Sequence, residues 1–143
     1  MKGAIVADTG GLLRAIAASP DGTASYPEFE AALLDASRIF VPALVLAEVD
    51  YFLNDEREAM RRLAREIFDP ETTYEYVATT PEDVARGLEL DEKFAALKIG
   101  LVDGVVAAVA ERHRAFRILT TDRRDFGAIR VGRHFTKALT LVP

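Results

Sequence analysis

The chain has 143 residues, half of them hydrophobic, which suits one globular domain with its own core and excludes an intrinsically disordered protein. It has no cysteine and only two histidines, so disulfides and thiolate metal sites are excluded, a zinc site is disfavoured, and a cytoplasmic location is expected. The net charge of −5 disfavours a nonspecific nucleic-acid binder, and without a signal peptide or an apolar run of about 18 residues we expect no membrane association.

Strand-like and helix-like patterns alternate along the chain. In order, we predict a strand at 4–8, helices at 11–18 and 28–37, a strand at 38–41, helices at 42–53 and 55–68, a strand at 74–78, helices at 80–96 and 102–114, a strand at 117–121, a helical turn near Asp125 and a strand at 139–142. This alternation predicts an α/β fold, a three-layer α/β/α sandwich with a mainly parallel central sheet, built as one domain over residues 1–143.

Two acids each follow a predicted strand. Asp8 comes after the run AIVA, and Asp122 comes after ILTT. Ligand sites of parallel sheets lie at the carboxyl ends of the strands, where the winding reverses. If the two strands are neighbours, their backbones are about 4.8 Å apart. Two carboxylates that close repel each other unless a positive charge lies between them, so we predict a metal ion there. The alternative is that both acids only form turns after their strands.

Two more acids lie within predicted helices. Glu48, in PALVLAEVDYFL, shares a helix face with Leu44, Val45 and Phe52, where a carboxylate is costly. Asp103, in LVDGVVAAVAERH, lies near the start of a helix rich in small residues that can pack closely on the sheet. Two alternatives remain open: Glu48 forms a salt bridge with a buried arginine, and Asp103 is an ordinary acid at a helix start.

Four carboxylates without a histidine or cysteine make an all-oxygen site. Such a site suits Mg²⁺ or Mn²⁺ and not zinc or copper. An ion of this kind binds a phosphate oxygen, activates a water molecule and offsets the charge of the transition state. Thr120 and Thr121 add hydroxyl groups that can hold a coordinating water, and we also expect Thr120 to contact the substrate phosphate.

The arginines beside Asp122 suggest an anionic substrate. Arg123 and Arg124 can bind the phosphates that flank a cleaved bond. Residues 111–143 carry eight basic and three acidic residues, a net +5, whereas the rest of the chain is −10. A solvated charged surface, or a structural salt bridge between one arginine and Asp125, is the alternative explanation.

In order and spacing these residues resemble the PIN-domain ribonucleases, and most closely the VapC-type toxins of bacterial toxin–antitoxin pairs. The likeness covers essentially the whole chain, and its most specific motifs are GLVDGVVAAVAERH and ILTTDRRDF. The resemblance implies that Asp8, Glu48, Asp103 and Asp122 form the metal-binding quartet of the family. It also implies that Thr120 is the hydroxyl residue common just ahead of the last acid.

The resemblance carries functional expectations. It implies a Mg²⁺- or Mn²⁺-dependent endoribonuclease acting on structured RNA such as tRNA or ribosomal RNA. It also implies a homodimer and a small antitoxin whose C-terminal segment covers the site. Three positions depart from the family pattern: Gly10 stands where relatives often have serine, Ala96 stands where they often have an accessory aspartate, and Gly104 replaces a frequent alanine.

Three other functions stay open. The chain could be a catalytically silent PIN scaffold that only binds RNA or a partner protein. A Mg²⁺-dependent phosphatase of the haloacid-dehalogenase type has a similar layout, but it needs a second aspartate where this chain has Gly10. A response-regulator receiver also clusters acids at strand ends, but it needs a lysine after a late strand, and Lys137 does not clearly occupy that place.

Overall fold

The computed structural model describes residues 3–143. Its strands and helices, in chain order, are β1 (Ile5–Ala7), α1 (Thr9–Ile16), α2 (Pro27–Asp35), β2 (Ile39–Pro42), α3 (Ala43–Phe52), α4 (Arg57–Phe68), β3 (Tyr74–Val77), α5 (Pro81–Lys93), a 3₁₀ turn (Ala95–Leu97), α6 (Gly100–His113), β4 (Arg117–Leu119), α7 (Arg123–Ala128), β5 (Arg130–Val131), β6 (Lys137–Ala138) and β7 (Thr140–Val142). None of the helices in this range is long and apolar enough to cross a membrane.

The central sheet has five parallel strands in the order β3-β2-β1-β4-β7. Its strands are short and mostly buried, as expected for a sheet covered on both faces. Helix α6 packs against β1 and β2, α4 packs against β3, and α7 packs against β7. The predicted α/β sandwich with a parallel central sheet is therefore confirmed.

The winding of the sheet reverses between β1 and β4. From β1 the chain moves outward to β2 and β3, and it then crosses back to β4 and β7 on the other side. These two central strands are hydrogen-bonded neighbours, with Val6 beside Ile118 and Ala7 beside Leu119. The loops after β1 and β4 consequently meet at one edge of the sheet, which is where such folds bind ligands.

Two glycines allow α5 and α6 to cross with their backbones almost in contact. A Cβ atom built on Gly104 would lie 2.4 Å from the carbonyl oxygen of Gly87, and one built on Gly87 would lie 2.9 Å from the backbone of Gly104. An alanine at position 104 would therefore collide with fixed backbone. Gly104, one of the positions that depart from the family pattern, therefore lets α5 pack closely against the first turns of α6, next to Asp103.

Several element bounds differ from the sequence prediction by a few residues, and three differences have a clear physical reason. Helix α1 begins at Thr9 and not at 11, because the chain turns into it directly from the extended Asp8. Helix α5 ends at Lys93 and not at 96, because the chain continues into the 3₁₀ turn at Ala95–Leu97. The antiparallel pair β5–β6 was not predicted, because strands of two residues are too short to show alternation.

Candidate metal centre

Asp8 stands at the corner between β1 and α1 and is only 6% exposed. The hydroxyl of Thr120 donates a hydrogen bond to its Oδ2 at 2.8 Å. The backbone N–H of Asp8 donates to the carbonyl of Leu119 at 2.9 Å, which ties the end of β1 to β4. Thr120 also accepts a hydrogen bond from the backbone N–H of Asp122 at 2.9 Å. One buried threonine thus fixes the positions of both strand-end acids relative to each other.

Glu48 reaches the same edge from α3. Its Oε1 accepts a hydrogen bond of 2.6 Å from the hydroxyl of Thr9, the residue after Asp8. Within the described part of the chain no arginine or lysine forms an ion pair with Glu48. The salt-bridge alternative for Glu48 is therefore not supported, and the charge of Glu48 instead raises the pKa of Asp8 and of Asp103.

Asp103 lies in the first turn of α6 but does not cap it. The N-cap residue, Ile99, makes no side-chain cap, and the N–H of Gly100 donates to the carboxylate of Asp91 at 3.0 Å. Asp103 is half-buried among the other acids. Burial, and then the charges of the neighbouring acids led by Asp8 and Asp122, raise the pKa of Asp103 to about 7. The alternative that Asp103 is an ordinary acid at a helix start does not explain why its carboxyl group lies among other negatively charged carboxylates.

Asp122 and Asp125 meet at the start of α7. Oδ1 of Asp122 accepts a hydrogen bond from the N–H of Asp125 at 2.9 Å, so this acid does cap a helix, as the turn-forming alternative supposed. Oδ1 of Asp125 is buried and has no hydrogen-bond partner among the described residues. No arginine within residues 3–143 forms an ion pair with Asp125, so the alternative explanation of Arg123 and Arg124 as structural partners of this acid is not supported.

The acids form one electrostatic unit. Asp103, Asp122 and Asp125 each offer a carboxylate oxygen, and these three oxygens lie within 4.8 Å of one another. Burial raises the pKa of Asp8, and the charges of Asp122 and Glu48 raise it further against the hydrogen bond from Thr120. A cluster of carboxylates that repel one another fits a divalent cation with oxygen ligands. Of the predicted quartet, Asp103 and Asp122 thus lie within reach of one ion together with Asp125, whereas Asp8 and Glu48 are not in this group of three and act on it through their charges. The acids present fit a divalent metal ion.

The sequence did not predict that two further residues, Asp125 and Thr9, belong to this site. Asp125 was treated only as a partner for an arginine, although its position three residues after a helix-capping acid predicts that both carboxyls lie on the same helix turn. Thr9 was not considered. Its hydroxyl is the first side chain of α1, and the direct passage from β1 into α1 that places it there was itself not predicted.

The hydroxyl and guanidinium groups at the rim are more exposed. A Cβ atom on Gly10 would lie 2.4 Å from Oγ1 of Thr121, so the glycine leaves room for this hydroxyl beside the start of α1. Arg123 and Arg124 are exposed at the start of α7. The guanidinium of Arg123 donates a long hydrogen bond of 3.3 Å to the carbonyl of Pro143. The guanidinium of Arg124 has no hydrogen-bond partner within residues 3–143, and its charge lowers the pKa of Asp125 against the larger effects of burial and Asp122.

Comparisons with known proteins agree with this geometry. The family model described as PIN domain matches residues 5–132. The chain is 28% identical over 133 residues to Ribonuclease VapC26 of Mycobacterium tuberculosis, an alignment that covers 88% of this chain and 92% of that protein.

Solved structures share the fold. The crystal structure of VapC20 from Mycobacterium tuberculosis, named a sarcin–ricin-loop-cleaving toxin, superposes with a TM-score of 0.68 at 16% identity over 84% of this chain and 91% of that one. A toxin–antitoxin complex from Klebsiella pneumoniae gives 0.66 at 20% identity, over 87% and 92% of the two chains. VapBC2 from Rickettsia felis, bound to a promoter DNA fragment, gives 0.63 at 18% identity over 96% of both chains.

Proposed function

Because the chain belongs to the PIN-domain family, we propose that it is the toxin of a VapBC-type toxin–antitoxin pair, a metal-dependent endoribonuclease that cuts structured RNA such as tRNA or ribosomal RNA. The observation that carries the proposal is the cluster of carboxylates at the switch point between β1 and β4. The names of its relatives, a ribonuclease and an RNA-cleaving toxin, support the same activity. We take residues 1–143 as one nuclease domain acting in the cytoplasm.

Asp8, Glu48, Asp103 and Asp122 would hold Mg²⁺ or Mn²⁺, with Asp125 beside them. When bound, the ion supplies a Lewis acid that lowers the pKa of a coordinated water and offsets charge on the phosphate. The chain supplies the positioning. The hydroxyls of Thr9 and Thr120 keep two of the carboxylates turned toward one point, as outer-shell hydrogen bonds do in metal sites.

Arg123 and Arg124 would hold the RNA next to this site. Both guanidiniums are exposed one and two residues after Asp122, and neither forms an ion pair with an acid within residues 3–143. A free guanidinium can donate two hydrogen bonds to one phosphate. The hydroxyl of Thr120 is already used by Asp8 and Asp122, so we now assign Thr120 to positioning the acids and not to direct phosphate contact.

The experiment that tests the proposal is RNA cleavage by the purified protein with Mg²⁺, with Mn²⁺ and with EDTA. Attack by a metal-activated water should leave 5′-phosphate and 3′-hydroxyl ends, because the 2′-hydroxyl of the RNA takes no part. Glu58→Gln, which removes a solvent-facing acid of α4, is the matched control and should cut like wild type. Products with a 2′,3′-cyclic phosphate, or full activity in EDTA, would reject this mechanism, and RNA binding without cleavage would indicate a silent scaffold.

An antitoxin has a suitable docking place on this chain. Three adjoining clefts run between α1, α2 and α4 and share Ile16 in their lining. The largest holds about 490 Å³ and is lined by Leu33 and Leu34, of which Leu34 is 71% exposed. Helix α1 starts beside the acid cluster, so an apolar antitoxin segment lying in these clefts would lead to the site. A homodimer, which the family resemblance implies, belongs to the same proposal.

Leu34→Glu should weaken binding of the cognate antitoxin at least tenfold, because it places a charge in an apolar contact. The measurement is titration of the antitoxin onto the wild-type and variant toxins, beside an RNA cleavage assay without antitoxin. Glu58→Gln serves again as the control that leaves α4 in place. Antitoxin affinity equal to that of wild type would show that these clefts are not the docking place.

A further inference from the structure

Two large aromatic rings stand in solvent at the end of α3. Tyr51 is 75% exposed and Phe52 is 61% exposed. The rings contact each other edge to face, with centroids 5.5 Å apart. Neither packs into the core, so their size and hydrophobicity need another explanation.

These rings lie one helical turn after Glu48, the acid that α3 contributes to the candidate metal centre. Tyr51 and Phe52 follow Glu48 by three and four residues on the same helix, and such residues are surface neighbours about 5–6 Å apart at their Cβ atoms. Side chains of a helix lean toward its N-terminus, so both rings extend back toward the turn that carries Glu48. The carboxylate of Glu48 is fixed at the cluster by its hydrogen bond from Thr9. This spacing places the rings on the α3 side of the acid cluster.

The end of α3 that carries the rings is fastened to α4. Arg57 donates to Oδ1 of Asp50 at 2.7 Å and to the carbonyl oxygens of Asp50 and Leu53 at 3.3 and 3.4 Å. These bonds satisfy carbonyls that a helix end leaves open. The rings consequently project from a braced helix end and not from a loose loop, which favours a binding surface of fixed shape.

The surroundings of the rings favour a small flat ligand over a protein surface. Leu53, which follows them, lines a cleft beside Leu13 and Ile16 of α1, and neither ring lines that cleft. The other close neighbours in sequence are polar: Asp50 before the rings, and Asn54 and Asp55 after Leu53. Protein interfaces place aromatic residues within a larger apolar patch that excludes charge. A pair of exposed rings on the α3 side of the acid cluster matches instead the way proteins hold unpaired bases, by stacking on aromatic faces.

We propose that Tyr51 and Phe52 form a stacking platform for an unpaired nucleobase next to the cleaved phosphate. This inference rests on the proposed nuclease function. It gives the site two separate means of holding RNA: the aromatic platform on the α3 side binds a base, and Arg123 and Arg124 on the α7 side bind phosphates.

The test measures binding of a short fluorescent single-stranded RNA in Mg²⁺, with every protein carrying Asp122→Asn so that no RNA is cut. Changing both Tyr51→Leu and Phe52→Leu should weaken binding about tenfold, the effect expected from losing a stacked base. The dependence of affinity on salt should stay as in the parent, because no phosphate contact is lost. Changing both Arg123→Ala and Arg124→Ala should weaken binding and also flatten the salt dependence.

The matched control is the other exposed aromatic pair, Phe68 and Tyr76, whose rings lie 5.1 Å apart at the β3 edge of the sheet. Replacing both by leucine should leave RNA affinity as in the parent. The platform is overturned if Tyr51→Leu with Phe52→Leu binds RNA as tightly as the parent. It is also overturned if that variant changes the oligomeric state of the RNA-free protein by light scattering, since the rings would then be a subunit contact.

The two proposals fail separately. Wild type that cleaves RNA, together with leucine variants that bind normally, rejects the platform and leaves the nuclease proposal standing. A protein that binds RNA through the rings but never cuts it supports the platform and rejects the nuclease. A protein that neither cuts nor binds RNA rejects both.

Discussion

Glu48→Gln and Asp122→Asn should each lower RNA cleavage more than about 100-fold, because even outer partners of metal ligands cost 10–100-fold when removed. Neither change should destabilise the metal-free protein. The amide keeps an oxygen that can accept the bond from Thr9 in one case and from the N–H of Asp125 in the other. Removing one negative charge also relieves repulsion within the cluster, so we expect the metal-free variants to equal wild type or exceed it by about 1 kcal/mol.

The measurement is a set of melting curves for wild type and both variants, with Mg²⁺ and with EDTA, beside a cleavage gel. Mg²⁺ should raise the melting temperature of wild type because it binds only the folded state, and it should do so less for each variant. Glu58→Gln provides the baseline for loss of one exposed acid. Strong destabilisation of a variant in EDTA would mean that its acid is a structural partner of a cation, and the metal assignment of that residue would be wrong.

The fold was predictable because its signals are local. Buried strands such as Ile5–Ala7 and Ile39–Pro42 appear as short apolar runs, and the proline and acids at the start of α5 mark a helix through its capping box. The strand-end acids were also predictable, because a parallel sheet collects the ends of its strands at one edge. Helical spacing placed Glu48 among apolar neighbours, which is enough to mark it as unusual.

Contacts between distant parts of the chain were not predictable from the sequence. The bond from Thr9 to Glu48 joins residues 39 positions apart, and the bond from Thr120 to Asp8 joins residues 112 apart. No periodicity encodes which hydroxyl meets which carboxylate. Likewise, Gly104 looked like a simple departure from a family pattern until its backbone was found against Gly87. The exposure of Tyr51 and Phe52 was equally hidden, since apolar residues at a helix end suggest a core.

Asp103 should make both metal binding and stability depend on pH near neutrality, in opposite directions. Its pKa is about 7 in the metal-free fold, against 3.8 for an unperturbed aspartate. Metal binding needs the ionised carboxylate, so Mg²⁺ competes with a proton at this group. The Mg²⁺ concentration that gives half-maximal cleavage should therefore rise about tenfold for each pH unit below about 7, and it should level off above.

The stability of the metal-free protein should change the other way. Between the unfolded value of 3.8 and the folded value of about 7, the folded state holds a proton on Asp103 that the unfolded state has lost. The free energy of unfolding should therefore fall as pH rises through this window, and the contribution is lost above pH 7. Asp103→Asn removes the titration while keeping the shape. Glu111, whose pKa is lowered, remains in both proteins, so the difference between wild type and variant reports Asp103 together with the acids coupled to it, led by Asp8.

Melting temperatures in EDTA at pH 5.5 and pH 8 test whether Asp103 makes the stability of the metal-free protein depend on pH. Wild type should lose more stability than Asp103→Asn between these two values, and the variant should show little cleavage at either. If both proteins lost the same amount, Asp103 would ionise like an exposed aspartate, and repulsion within the cluster would not be what makes it a metal site. A wild type that needs the same Mg²⁺ concentration at both pH values would likewise remove Asp103 from the ligand set.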